Sequence, residues 1–205
     1  VEIRWLNVVL PQSPIVGMQG VAANRWGVWR NDRRNEILAN AAKSHPDEQV
    51  LILVATVEHA VYLGSRLPDF ELCYGTMKPA DCAEYRRAGL LPDDYLPLPA
   101  RRRRQMQTEF ASGQLRLVIA TDVWATGVSF SGLDVVIRGD ARASKIRDTQ
   151  TPGRVDRTCD GKTKGVVYDC RDESDTRRNG NARKRSTNPP PKPNQSHRRT
   201  TGGRT

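Results

Sequence analysis

Apolar residues recur along the chain in two patterns that take turns. Short runs dominated by apolar and β-branched residues lie at 3–10 (IRWLNVVL), 49–56 (QVLILVAT), 115–120 (LRLVIA), 134–138 (DVVIR) and 165–170 (GVVYDC), with a shorter one at 71–75 (ELCYG). Each predicts a strand, and the continuous run at 49–56, with its β-branched residues, suits a strand covered on both faces, as in a parallel sheet. Pro11 ends the first of them, because proline cannot donate to a strand ladder. The second pattern is helical. Asp32–Lys43 carries Ile37, Leu38 and Ala41 on one stripe before Pro46 closes the segment. Residues 57–67 follow Thr56, a helix-capping residue type, with Glu58 and His59 in the first turn and Pro68 as the stop. Residues 101–112 set Met106 and Phe110 four apart on one face and end at Gly113. A further helix is predicted over 145–157. Residues 76–100 fit neither pattern: they are charged, carry Pro79, Pro92, Pro97 and Pro99, and predict an irregular insertion or lid.

Strand and helix alternating about five times predict an α/β fold: a doubly wound, mostly parallel sheet with helices on both faces. In such sheets ligands gather at the carboxyl ends of the strands. Thr56, Gly75, Thr121 and the segment after Ile137 all fall at predicted strand ends, which marks that edge before any chemistry is considered.

Charge divides the chain. The formal net charge is +10, but residues 176–205 hold nine Lys or Arg and no Asp or Glu. Residues 1–175 are left with 24 basic against 23 acidic side chains, so the basicity belongs to the tail. That tail is rich in Arg, Asn, Pro, Gly, Ser and Thr and has nothing to build a core, so it is expected to be disordered. A basic tail can bind nucleic acid by counterion release, or it can simply solubilise. The expected organisation is a connecting segment at 1–30, one domain at 31–175 with the insertion at 76–100, and the tail at 176–205. The four cysteines show no C-x-x-C and the three histidines no ligand spacing, which predicts no metal site and a reduced, cytoplasmic setting. No apolar run reaches the eighteen or so residues of a membrane span, and no signal peptide is visible. The chain opens on Val rather than Met, which suggests a piece of a longer protein.

Two stretches could carry chemistry. Thr121-Asp122 ends a buried strand at the expected start of a helix, offering a hydroxyl and backbone N–H groups suited to a phosphate; the same pair is also an ordinary helix cap. Gly127 permits close backbone approach, or is an ordinary turn glycine. Arg154 and Arg157 share a helical face three residues apart, behind Gly153 and one turn after Gln150. Two permanently charged, forked guanidiniums converging on a γ-phosphate would stabilise phosphoryl transfer; alternatively they are surface arginines paired with Asp156 or Asp160.

Taken jointly, these stretches resemble superfamily 2 helicases. A threonine–aspartate loop followed 29 residues later by Q-x-x-G-R-x-x-R (Gln150 to Arg157) resembles motifs V and VI of that family. VLILVAT with VEHA is similar to motif IV, and FASGQLRLVIATDVWATGVSF to the approach to motif V. With RGDARASKI included, residues 30–175 look most like the second, C-terminal RecA-like domain of a phage-type or DExH-type helicase. The resemblance implies that Arg157 is the arginine finger, Arg154 a second phosphate-contacting arginine, and Gln150 a link to the domain interface beside Gly153. It implies that Thr121, with Asp122, contacts a strand backbone, that Gly127 couples nucleotide to strand, and that Thr56 and Gly75 add backbone contacts. It further implies ATP with Mg2+ as cofactor, the metal being held by an N-terminal RecA-like domain absent from this chain. That domain and a DNA or RNA strand are the implied partners, with no membrane.

The pattern departs from the DEAD-box branch at Ser129, where those proteins carry aspartate, and at the Gln-Thr-Pro opening of motif VI. Two imitations are set aside. Gly161-Lys162-Thr163 looks like the end of a P-loop, but Asp156 stands where its glycine is needed and a strand follows rather than a helix. Asp172-Glu173-Ser174-Asp175 mimics a metal box, but it follows motif VI. No Walker A lysine or metal-binding acidic box is present, so the chain is expected not to hydrolyse ATP alone. The competing class is a non-catalytic nucleic-acid-binding module. A small-molecule-binding doubly wound domain lacks its G-x-G-x-x-G fingerprint.

Overall fold

The computed structural model describes residues 1–9, 15, 17–124, 132–140 and 165–172. Gly127, the expected helix at 145–157 with Gln150, Gly153, Arg154 and Arg157, and the tail at 176–205 lie outside the described residues.

The described elements run β1 (Glu2–Val8), α1 (Gly20–Asn24), a π-helical turn (Arg25–Trp29), α2 (Asp32–Lys43), β2 (Val50–Leu53), α3 (Val57–Gly64), β3 (Glu71–Cys73), α4 (Pro79–Arg87), α5 (Ala100–Ala111), β4 (Leu117–Ala120), a 3-10 turn (Asp122–Trp124), β5 (Val135–Arg138) and β6 (Val166–Asp172). The six strands form one sheet in the order β1-β6-β5-β2-β4-β3, and every pairing is parallel. β1 joins this sheet as an edge strand, so part of the 1–30 segment belongs to the fold itself.

The inner strands are buried on both faces of the sheet, and the period-two geometry of a strand sorts their residues between them. Val50, Ile52, Ile119, Val135, Ile137, Val166 and Tyr168 pack with Leu38, Ala39 and Ala42 of α2 and Ala60 and Leu63 of α3. Their sequence neighbours Leu51, Leu53, Val118, Ala120, Val136 and Val167 pack with Met106 and Phe110 of α5 and with Trp124. Helices therefore cover both faces, as the apolar runs require. Polar substitutions on either face would strand a buried group, which is why these strands read as unbroken apolar runs rather than alternating ones.

The expected irregular insertion at 76–100 is corrected: Pro79–Arg87 is the helix α4. Pro79 sits at its first turn, where a missing N–H costs nothing and a preset φ favours the helix. Cys82 and Tyr85, three apart, turn inward onto Tyr74, Val61 and Met77 as a third apolar cluster. Counting prolines as breakers hides this start signal. The helix predicted over 57–67 ends earlier, at Gly64, and β1 to β5 are shorter than their apolar runs, while β6 continues past Cys170 to Asp172.

Phe110 is fully buried and packs on the indole of Trp124. Phe110→Ala is expected to cost about 3–5 kcal/mol of unfolding free energy, measured as a lowered urea midpoint. A loss below about 1 kcal/mol would contradict the packing described for that face.

Candidate nucleic-acid interface

β4 pairs with β2 on one side and β3 on the other, all in the same direction, so their carboxyl ends lie side by side. Thr56, Gly75 and Thr121 with Asp122 follow those three ends, and the fold therefore brings these four sequence-predicted residues to one edge.

Their local roles differ from one another. The Thr121 N–H donates to the Cys73 carbonyl at 3.0 Å, and its carbonyl accepts from the Trp124 N–H at 3.2 Å. Thr121 is 7% exposed. The expectation of a free N–H there is corrected, because that group completes the β3–β4 ladder. The 3-10 turn Asp122–Trp124 follows directly, and Trp124 packs onto Phe110, the ring centroids being 5.2 Å apart; the rest of the loop and helix expected over 121–128 lies outside the described residues. Asp122 stays exposed on that turn. Thr56 caps α3, its Oγ1 accepting the His59 N–H at 3.2 Å, which leaves the hydroxyl proton to donate elsewhere. Gly75 is half-buried, and a Cβ there would meet Val123 at an ordinary 3.5 Å, so space alone does not demand glycine.

Sequence reasoning misses Arg103. From the first turn of α5 it donates to the Tyr74 carbonyl at 3.1 Å and also to the Gly75 carbonyl, clamping the end of β3. The available signal is the run Arg101 to Arg104 in a first helical turn, where the helix dipole disfavours cations. Arg102 is occupied by Glu109 through bonds of 2.9 and 2.8 Å, while Arg101 and Arg104 are exposed.

A second group sits where β5 ends. Arg34 of α2 is fully buried and donates to the Gly139 carbonyl at 3.4 Å. Gly139 donates in turn to the Leu53 carbonyl at 2.8 Å. A Cβ at Gly139 would lie 3.2 Å from Leu38 Cδ1 and 3.4 Å from both His59 Cε1 and the Leu53 carbonyl oxygen, so a side chain there forces the neighbours apart. His59 Nε2 meets Asn35 Oδ1 at 3.1 Å, and Asn35 donates to the Trp29 carbonyl at 3.0 Å. Nε2 therefore carries the proton, and Nδ1 has no hydrogen-bond partner among the described residues. Arg138 and Asp169, register partners on β5 and β6, form a buried pair at 3.5 Å. Among the described residues no group of three or more His, Cys, Asp or Glu could hold a metal, so no metal step is derived from them. No helix among them is long and apolar enough to cross a membrane. A groove of about 730 Å³ lies at the opposite, amino end of the edge strand, near Gly64 and Phe70, away from this chemistry.

An all-parallel sheet between two helical layers, with its polar loops at the carboxyl edge, defines a RecA-like α/β domain. The family model for the helicase conserved C-terminal domain matches residues 33–159, and the chain belongs to that family. Solved structures share the fold. Saccharomyces cerevisiae Dbp5 bound to RNA and ADP-BeF3 matches at 17% identity and TM-score 0.54, over 76% of this chain and 36% of that one. A variant C-terminal domain of the same yeast protein, bound to a Gle1 variant and IP6, matches at 16% identity and TM-score 0.54, over 78% of this chain and 80% of that one. This chain thus spans about a third of the length of the RNA-bound Dbp5. No curated protein matches the sequence significantly.

Burial, reinforced by the charge of Arg34, pushes the His59 imidazole down from its ordinary 6.5 to about 3. The unfolded chain therefore takes up the extra proton first as pH falls below 6.5. The stability this histidine contributes is complete above pH 6.5 and is lost as pH falls toward 3, by about 1.4 kcal/mol per pH unit. His59→Gln is expected to flatten the dependence of the urea midpoint on pH across that window. A slope equal to that of the wild type would contradict this assignment.

Proposed function

We propose that this domain is the C-terminal half of an ATP-dependent nucleic-acid helicase or translocase. The observation that carries the reading is that the family match over residues 33–159 includes both the Thr121 edge and the segment from Gln150 to Arg157. On this reading Thr121, Asp122, Thr56 and Gly75 follow a DNA or RNA strand through its backbone, and Arg103 holds the Gly75 loop in place for it. An N-terminal RecA-like domain of the same protein completes the ATP cleft and would also hold Mg2+.

The chemistry follows from charge. Phosphoryl transfer spreads negative charge over the γ-phosphoryl oxygens, and ATP supplies that group. Arg157 and Arg154 would meet the charge with forked N–H donors that need no reorganisation. Gln150 and Gly153 would set their approach. Gly127 lies between the Thr121 loop and β5, in the stretch that leads from the strand contacts to the arginines, and is assigned the coupling between them. Because the edge and the arginine segment belong to one continuous stretch of chain, a change at one site would be felt at the other.

The 205-residue chain alone is expected to show no nucleic-acid-stimulated ATPase, and activity is expected once the N-terminal domain is supplied. Robust turnover by the chain alone would contradict the proposal. In the two-domain protein, Arg157→Ala is expected to lower turnover by about 10³ to 10⁵ with nucleic-acid affinity nearly unchanged. Loss of affinity instead would assign Arg157 to the strand.

Deleting residues 176–205 separates this reading from a tail-driven binding module. The deletion is expected to weaken binding and reduce its salt dependence while leaving measurable affinity. Replacing Arg101 and Arg104 together by Gln is expected to lower the salt slope by about 0.7 for each single-strand phosphate that is no longer neutralised. If the tail deletion removes all binding and the double substitution changes nothing, the carboxyl edge is not the strand site.

A further inference from the structure

Among the described residues, Trp26 is the one tryptophan that stands with the large exposed apolar side chains, 46% of its surface being accessible. It lies in the π-helical turn Arg25–Trp29, whose other apolar members Val28 and Trp29 are buried. A π turn widens the helix by one residue and recurs at functional positions, where it re-aims a side chain. Exposure of an indole alone would be ordinary, but this one is built into an assembly. The Arg30 guanidinium lies 5.6 Å from the Trp26 ring centroid and 5.1 Å from that of Tyr62. Glu58, buried at 8% exposure, accepts from Arg30 Nε and, at 3.1 Å, from Arg25 Nε. A buried carboxylate thus orients the cation that backs the indole, and the ring is held rather than free to turn.

The position is equally specific. Glu58 lies in the first turn of α3, two residues after Thr56, so this assembly borders the carboxyl edge beside the Thr56 loop. Arg25 and Arg30 are both bonded to Glu58, and the negative charge of Glu84 on α4 is also felt at Arg30. The site therefore offers an aromatic face and little spare positive charge, which suits a base rather than a phosphate.

We propose that Trp26, backed by Arg30, is a stacking platform for an unpaired base of a single-stranded nucleic acid running along the carboxyl edge. The proposal rests on the nucleic-acid reading given above. Every base has a π face, so the platform would read no sequence and would serve DNA and RNA alike, favouring single strands over duplex.

The test uses the full 205-residue chain and short single-stranded DNA and RNA oligonucleotides carrying 2-aminopurine, whose fluorescence reports stacking. The wild type is expected to quench the fluorescence of both. Trp26→Ala is expected to weaken binding by roughly 5- to 150-fold with the salt slope unchanged, and Trp26→Phe to retain most of the affinity and quenching. Trp26→Leu serves as a matched apolar control, expected to behave like Trp26→Ala at wild-type thermal stability. Wild-type affinity in Trp26→Ala, or equal affinity in Trp26→Leu and Trp26→Phe, overturns the platform while leaving the nucleic-acid reading standing. A wild-type chain that binds neither oligonucleotide overturns that reading and the platform with it.

Discussion

The parallel pairing of β4 with both β2 and β3 is the constraint on which the candidate site depends. Parallel strands cannot be joined by tight turns, so each must be followed by a crossover, and every crossover leaves from the same edge. That edge collects loops whose sequences are far apart: residues near 56, 75 and 121 become neighbours without any contact between their side chains being required. The pairing is maintained by apolar burial on both faces, through α2 and α3 on one side and α5 with Trp124 on the other. Trp124 serves both the core and the edge. Its burial closes the core over α5, and the same inward turn shapes the loop that carries Thr121 and Asp122.

Polar groups under that edge make it rigid rather than merely adjacent. Arg103 clamps the carbonyls of Tyr74 and Gly75, the Thr121 N–H is tied to Cys73, and Gly139 is tied to Leu53 while accepting from the buried Arg34. Buried cations are costly unless paired, and Arg138 meets Asp169 across adjacent strands. These arrangements define the end of β5, from which the sequence continues into the arginine-bearing segment. A strand-binding edge and a nucleotide-binding segment that leave one rigid sheet can bias each other without a flexible relay. This is the physical form that coupling takes on the proposed reading.

The fold is legible in the sequence where burial dominates. Runs such as Val50–Leu53 and Val135–Arg138 have no other use for so many apolar residues, and Met106 with Phe110 declares the face of α5. Legibility ends where one residue type has two local meanings. Pro79 reads as a loop residue yet begins a helix, and residues 20–29 lack the apolar period that would announce α1 and its π turn. At the site, strand position alone places Thr56 and Thr121 at the carboxyl edge. The cap that Thr56 places on α3 through the His59 N–H is legible from the residue type, whereas the bond from Thr121 to Cys73 is not, because it depends on strand register. Arg103 is hidden for a different reason: its partners are carbonyls, which no side-chain motif reveals.

The central claim is that the carboxyl edge of the sheet, rather than the basic tail, carries the nucleic-acid strand. Ultraviolet crosslinking of the intact chain to a single-stranded oligonucleotide, followed by mass-spectrometric mapping, tests it most directly. Crosslinked peptides containing Thr56, Gly75 and Thr121 with Asp122 are expected, at salt concentrations where binding by the tail is screened. Crosslinks confined to residues 176–205, and lost together as salt rises, would contradict it.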